Sequence, residues 1–421
     1  MVKRIAAISF IFACTTVAWM ILGGTIFSRT YSAGDRLENK VAASWGSPQV
    51  QLPPTATYWV NRTHTEESME HGQRISRQVT ESVPVGVPVE SSRVNVAIRL
   101  DPRQKGLLWY STYAVDFSGA YGFRNSSAQD QSVSFQLKFP ASQAVYDDLA
   151  IAVDGQPLPI TTDSNGATVT ATVPAGRVLP VTFSYRSQGM GSWVYKFGDE
   201  VSQVRDFVLD LKTNFKDIDF PADSLSPTEK RETPDGWTLT WKYNSLLSGL
   251  QIGATMPEKL QPGPLAGQIS FFAPVSLFFF FFLMFIITTM RGIDLHPMNY
   301  FFLATAFFAF HLLMAYLVDH ISIHAAFVIC SLVSVFLVVS YLRLVVGIRF
   351  AAVEAGIAQL IYLVLFSYAF FFKGFTGLAI TIGSIVTLFG VMQMTGRIKW
   401  AEKFSMKAGQ APSFESGGFH D

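Results

Sequence analysis

The chain is poor in charge and nearly without cysteine. Only 15% of its residues are Asp, Glu, Lys or Arg, while 49% are hydrophobic; soluble domains carry about 25% charged residues. Both cysteines, Cys14 and Cys330, fall in apolar runs. A disulfide framework or a cysteine-based metal site is therefore excluded from the polar part of the chain. A basic surplus is also lacking. Residues 29–268 hold 22 Lys/Arg against 25 Asp/Glu, a net of −3, which argues against a nucleic-acid partner. There is no G-x-S-x-G, no phosphate-cradling glycine loop and no H-E-x-x-H. Each of these would place a nucleophile, an anion cradle or a metal. The expectation is a protein that is not an enzyme, with no cofactor and no bound metal.

What is present is hydrophobic length. Ile5–Phe27 runs 23 residues without a charge, and further apolar runs begin near Phe271. A helix rising ~1.5 Å per residue needs about 20 apolar residues to cross a bilayer. The later spans read as Phe271–Met290, Met298–Val318, Ile321–Tyr341, Phe350–Phe372 and Gly374–Met394. The first run exceeds the usual ~7–15 residues of a signal-peptide core, and no A-x-A site follows it. It reads as an uncleaved anchor. The fold class is thus a six-span helical membrane bundle (1 + 5) with a large all-β, sandwich-like domain between spans 1 and 2. The divisions expected are 1–28 (anchor), 29–268 (β-rich domain opening on a juxtamembrane helix), 269–395 (five-helix bundle) and 396–421 (a Gly/Ser-rich, partly disordered tail).

Six crossings put both termini on one side. If that side is the cytoplasm, its flanks carry Lys3, Arg4, Arg291, Arg343, Arg349, Arg397, Lys399, Lys403 and Lys407, and the outer turns only Lys373. The positive-inside rule favours this orientation. Turns this short force sequential helices to be antiparallel neighbours. Pro297 suits a first helical turn, and Ala352-x-x-x-Gly356 offers a small-residue face for helix contact.

In the polar domain, Ser132–Phe139, Ala167–Val173 and Trp237–Tyr243 alternate with a period of two. Asp154-Gly155, Asn165-Gly166 and Asp235-Gly236 supply hairpin turns. Arg93–Leu100, Leu108–Phe117, Val178–Tyr185, Ser192–Phe197 and Gln203–Thr213 are further strands, giving about ten in an antiparallel sandwich. Tyr31–Ala43 reads as a helix extending the first span outward. Residues 48–89, rich in Pro, Thr, Glu and Gln, read as a loop or lid. Asp217, Asp219 and Asp223 read as a turn, and His64 and His71 with Glu66, Glu67 and Glu70 as a solvated segment.

Intramembrane polar residues carry the strongest functional signal, because burying them in lipid is costly. His311, Gln359 and Glu354 are the candidates, with Glu354 placed to pair with Arg349 or Arg343. Phe278–Phe282 reads as a lipid-facing or helix-packing stripe. Near the domain boundary, Ser44-Trp45-Gly46 is expected to end the juxtamembrane helix. Gly46 would take a positive φ, and Trp45 would bury itself in the β domain, so that Trp45→Ala costs ~3 kcal/mol or more.

Several stretches resemble the CreD-like inner membrane proteins of Gram-negative bacteria. These are Ser44-Trp45-Gly46-x-x-Gln49, Leu295-His296-Pro297-x-x-Tyr300, the Asp319-His320 turn and Gly396-Arg397-Ile398-Lys399-Trp400. The resemblance implies a periplasmic β domain and a role in envelope integrity and stress, often under a two-component regulator and connected with colicin tolerance. The family offers no catalytic residues to carry over. The leading reading is a non-enzymatic envelope protein whose periplasmic domain binds a periplasmic or membrane protein partner, or an envelope component, beside the lipid bilayer itself. A small transporter or proton-coupled device using His311, Glu354 and Gln359 is the alternative, and a membrane-tethered hydrolase would require convergent carboxylates in a polar cleft.

Overall fold

A computed structural model describes residues 2–396 except 71, 72, 107, 143 and 373, and the side chains of these apart from 2, 33–36, 66–70 and 73–76. His71, Lys373, Arg397, Lys399, Trp400, Lys403, Lys407, the tail, and the side chains of Glu66, Glu67 and Glu70 lie outside the described residues. The chain forms two compact units, chiefly 1–34 with the residues from Leu260 onward, and Asp35–Lys259.

Among the described residues six helices are apolar and long enough to cross a membrane. Helix α1 (Val2–Trp45) continues well past its apolar part. Helix α2 (Pro262–Met290) begins nine residues earlier than the apolar run suggested, because Pro262 and Pro264 fit a first turn that needs no backbone N–H. Helix α3 (Pro297–Leu317) is capped by His296, whose Nδ1 accepts from Met298 N, with Pro297 in its first turn. Helices α4 (Ile323–Val345), α5 (Phe350–Phe371) and α6 (Thr376–Thr395) complete the set. Their shared core includes Trp19, Phe280, Met284, Tyr300, Phe307, Phe310 and Met314. The phenylalanine stripe divides: Phe280 and Phe281 are buried, while Phe278 and Phe282 are exposed. Helix α5 is irregular, with π turns at Phe350–Ala355 and Leu360–Leu365. This shift of register moves the small-residue contact. Ala351, Ala355, Gly356 and Ala358 are buried, whereas Ala352 is exposed, so the expected Ala352–Gly356 face is only half correct.

The β unit is a sandwich. An eight-stranded sheet runs Gln156–Pro157, Tyr146–Val153, Val178–Met190, Thr112–Arg124, Val89–Leu100, Ser202–Thr213, Trp237–Ser248, Glu229–Glu232. Its only parallel pairing joins Val89–Leu100 to Ser202–Thr213 among these strands. Facing it is a five-stranded sheet of Thr161–Thr162, Gly166–Val173, Gln131–Lys138, Thr55–Glu70 and Gln73–Gly86. The alternation seen in the sequence supplies the core. Val133, Phe135 and Leu137 point inward from one sheet, Val115, Phe117 and Phe123 from the other. The Phe123 and Phe135 rings meet edge-on at 5.1 Å across the layers. Asp154 and Gly155 both take positive φ in a two-residue hairpin. At Asn165-Gly166 the turn is instead closed by Asp163 Oδ1, which accepts from both backbone N–H groups.

One expectation fails here. Residues 48–89 are not a loop or lid: Thr55–Glu70 and Gln73–Gly86 form a hairpin of fourteen cross-strand pairs. Only Thr55–Thr57 also pairs with Gln131–Lys138. Beyond it the two strands continue as a free ribbon, about 43 Å long at ~3.3 Å per residue.

Candidate functional site

The structure gives each candidate in the bundle its own surroundings. His311 is buried on α3, its Nδ1 bonded to Phe307 O at 2.9 Å. That bond makes Nδ1 the protonated nitrogen and leaves Nε2 an acceptor. Nε2 is buried without a partner, and so is the Nε1 of Trp19, whose ring stands edge-on to the imidazole at 5.6 Å. The sequence reading overlooked Trp19. A tryptophan in mid-span, away from the interfacial belts, was the available signal.

Gln359 lies between the two π turns of α5 and is fully buried. Its Nε2 donates to Ser334 Oγ at 2.8 Å, and Ser334 Oγ donates to Ala306 O at 2.7 Å. One relay of side chains thus ties α5 to α4 and α4 to α3. Nearby, Ser276 of α2 donates to the backbone oxygen of Tyr362, and Tyr362 Oη donates to Thr387 of α6 at 2.9 Å.

Glu354 does not pair with Arg349 or Arg343. Its partner is Arg291, at the C-terminal cap of α2, with Nη2 to Oε1 at 2.5 Å. Glu354 lies within the π turn Phe350–Ala355, which alters the face of α5 that presents it. Among the described residues no hydrogen bond or ion pair joins His311, Gln359 and Glu354 to one another. They do not form one polar path.

Two further arginines fix α1 to α3. Arg4 reaches Asp294 at 3.3 Å and stands over the rings of Phe285 and Tyr300. Arg29 donates to Ala315 O at 2.8 Å and pairs with Asp319 at 3.3 Å. Asp294 and Asp319 flank α3, so α1 runs parallel to it, held at both ends. Tyr300 and Asp319, singled out in the sequence, are therefore docking points for the first helix.

The second candidate region belongs to the β unit. Helix α1 ends at Trp45, and Gly46 follows with φ +92°, its N–H returning to Ala42 O at 2.9 Å. This is the helix stop expected. Its closeness explains the glycine further: a Cβ there would lie 2.1 Å from Gln188 O. Three residues on, the buried Gln49 donates through Nε2 to Ser187 Oγ and Gln188 O, both at 2.9 Å. Gln51 accepts from Tyr185 Oη at 2.6 Å. Burial holds the Tyr185 phenol well above its ordinary range, so it stays a donor. Trp45 departs from expectation. It is half-buried, and the Arg103 guanidinium lies 3.3 Å from its ring centre, so it is clamped at the surface by a cation rather than sunk into the core.

Other sequence features fall into structural roles. Asp223 lies in a turn at positive φ, whereas Asp219 forms an isolated bridge with Thr255 and its Oδ1 accepts from Phe220 N; His64 lies on the ribbon. Asn125 is buried, its amide donating to Gln129 O and Val173 O.

Residues 269–401 match the family model described as inner membrane protein CreD. Among curated proteins, none matches the chain. Solved structures are similar in part. A candidate nutrient binding protein from Legionella pneumophila is 11% identical over 46% of this chain and 71% of its own, with a TM-score of 0.30. An M1 zinc metallopeptidase from Deinococcus radiodurans is 12% identical over 41% of this chain and 42% of its own, with a TM-score of 0.25. The chain therefore spans under half the length of that peptidase.

Proposed function

We propose that this chain, whose residues 269–401 match the inner membrane protein CreD family model, serves envelope integrity without catalysing a reaction, through a β domain that recognises a protein partner. The observation that carries this reading is the ribbon. Among the described residues neither edge of the ribbon pairs with another strand beyond Thr57, and Trp59 stands 62% exposed at its base. An isolated two-stranded hairpin is marginal in water, and free strand edges are templates for pairing with another chain. The bundle then serves to hold this arm at the membrane. The distribution of basic residues supports both termini in the cytoplasm and the β domain in the periplasm.

The test is rescue of a deletion strain's envelope phenotype by full-length protein in which residues 61–82 are replaced by Asn-Gly. Loss of rescue with normal membrane levels is expected. Full rescue would refute the ribbon as the recognition element.

A second reading, a small proton-coupled transporter, is favoured by the unpartnered buried atoms His311 Nε2 and Gln359 Oε1. Full activity of the His311→Phe, Glu354→Gln double variant would dismiss it.

A further inference from the structure

A groove of about 370 Å³ opens between α1 and α2, walled by Ile5, Ile8 and Phe12 on one side and Phe278, Phe282 and Phe285 on the other. Its walls are almost wholly apolar, with Ser9 a polar side chain among them. Arg4 belongs to the same helical row as Ile8 and Phe12, since residues four apart share a face. Its guanidinium stands 5.7 Å from the ring of Phe285, at one end of the groove. Arg4 Nε is buried and unpartnered. Lys3 precedes Arg4 and is exposed, while the Arg4 guanidinium pairs with Asp294 at 3.3 Å and donates to Thr288 Oγ1 at 3.5 Å. The two adjacent basic residues give this end of α1 a positive charge.

The dimensions match a membrane leaflet. Arg4 to Phe12 covers about 12 Å of helix, close to half of a ~30 Å hydrocarbon core. A slot of that depth, apolar along its length and cationic at the headgroup level, has the form of one lipid chain with its phosphate. We propose that this groove is a binding site for an anionic glycerophospholipid. The phosphate lies on Arg4 and Lys3, and one acyl chain descends between α1 and α2. The lipid would fill the gap beside Phe278 and Phe282 and secure the first helix against the bundle. A zwitterionic lipid would fit the slot but gain less from its positive end.

The experiment is native mass spectrometry of the delipidated full-length protein in detergent micelles. The probes are phosphatidylglycerol and phosphatidylcholine with identical acyl chains, with inorganic phosphate as competitor. One phosphatidylglycerol per chain is expected, bound more tightly than phosphatidylcholine by roughly 5-fold per basic side chain. Arg4→Gln and Lys3→Gln should each reduce that preference. Ser9→Trp, which places bulk in the groove from an exposed position, should cut binding of both lipids. Thermal unfolding checks that each variant is folded, and if Arg4→Gln is not, Lys3→Gln decides the charge question. Equal binding of the two lipids would mean ordinary boundary lipid and overturn the proposal. So would displacement of phosphatidylglycerol by inorganic phosphate, or unchanged binding in Ser9→Trp.

Discussion

Replacing Gly46 with alanine tests the helix stop at its tightest point. Two costs arise from separate geometry. A φ of +92° is unfavourable for any residue with a Cβ, at about 1–2 kcal/mol. The added carbon would also stand 2.1 Å from Gln188 O and 2.9 Å from its carbonyl carbon. Those are backbone atoms of the Val178–Met190 strand, paired along its length with Thr112–Arg124, so they cannot swing aside as a flexible side chain could. Overpacking of this kind costs a further ~1–3 kcal/mol, for a total of about 2–5 kcal/mol. A chain of two units need not unfold in one step, so local hydrogen exchange over residues 42–51 and 184–196 is the appropriate assay. Since every 1.4 kcal/mol is tenfold in an equilibrium constant, exchange there should accelerate roughly 30-fold or more. Gly176→Ala is the control: its φ is +70° but nothing lies within 4 Å of a Cβ, so it carries only the conformational cost. If the two substitutions accelerate exchange equally, the close approach to Gln188 contributes nothing and the reasoning fails.

Tyr185→Phe should destabilise the β domain by about 1–3 kcal/mol in chemical denaturation, because it leaves the buried Gln51 Oε1 without its donor. Gln359→Leu and Ser334→Ala should be non-additive in a double-mutant cycle in micelles, with a coupling near ~0.6 kcal/mol; strict additivity would show the relay to be idle. Burial pushes the Tyr146 phenol up to about 12 from 10.0. A raised pKa contributes stability present below pH 10.0 and lost as pH climbs through 12, so an alkaline unfolding curve should lose that part of its slope in Tyr146→Phe. For orientation, Val201→Cys and Ser413→Cys in a chain lacking Cys14 and Cys330 should label oppositely with an impermeant reagent, Val201→Cys from outside spheroplasts and Ser413→Cys only after lysis. Val201 is 66% exposed, whereas a Cβ at Gly198 would meet Ser202 Oγ.

The elements legible in the sequence were those with one buried face. Gln131–Lys138 and Gly166–Val173 alternate because each turns one side to the core. The ribbon strands carry no such pattern because beyond Tyr58 they have no sandwich behind them. Their composition, freed from a core, reads as a loop. The apolar length of α5 marked it as a span, but apolar residues all around a helix carry no phase, so its π turns were invisible, and with them the partner of Glu354. Where the short motifs lie within the described residues, their purposes required distant residues. Gly46 answers to Gln188, Tyr300 to Arg4, and Asp319 to Arg29. Trp45 illustrates the limit: its place at the helix end was legible, whereas its half-exposed position under Arg103 was not, and the expected cost of Trp45→Ala falls to the range of a surface cation–π pair, ~0.5–2 kcal/mol.

Arg4 and Arg29 bracket the apolar part of α1, and their ion pairs would also make the protein a gauge of bilayer thickness. Arg4 and Arg29 lie about 37 Å apart along the helix, and each pairs with an aspartate just outside one end of α3, so two rungs join two parallel rods. A single helix meets a thinner membrane by tilting at little expense. Here a tilt of α1 alone would shear both rungs against α3, so the pair must tilt together or the lipid must deform around it. Hydrophobic mismatch would then fall on the surrounding bilayer rather than on the helix, and the protein would partition toward membrane of its own thickness.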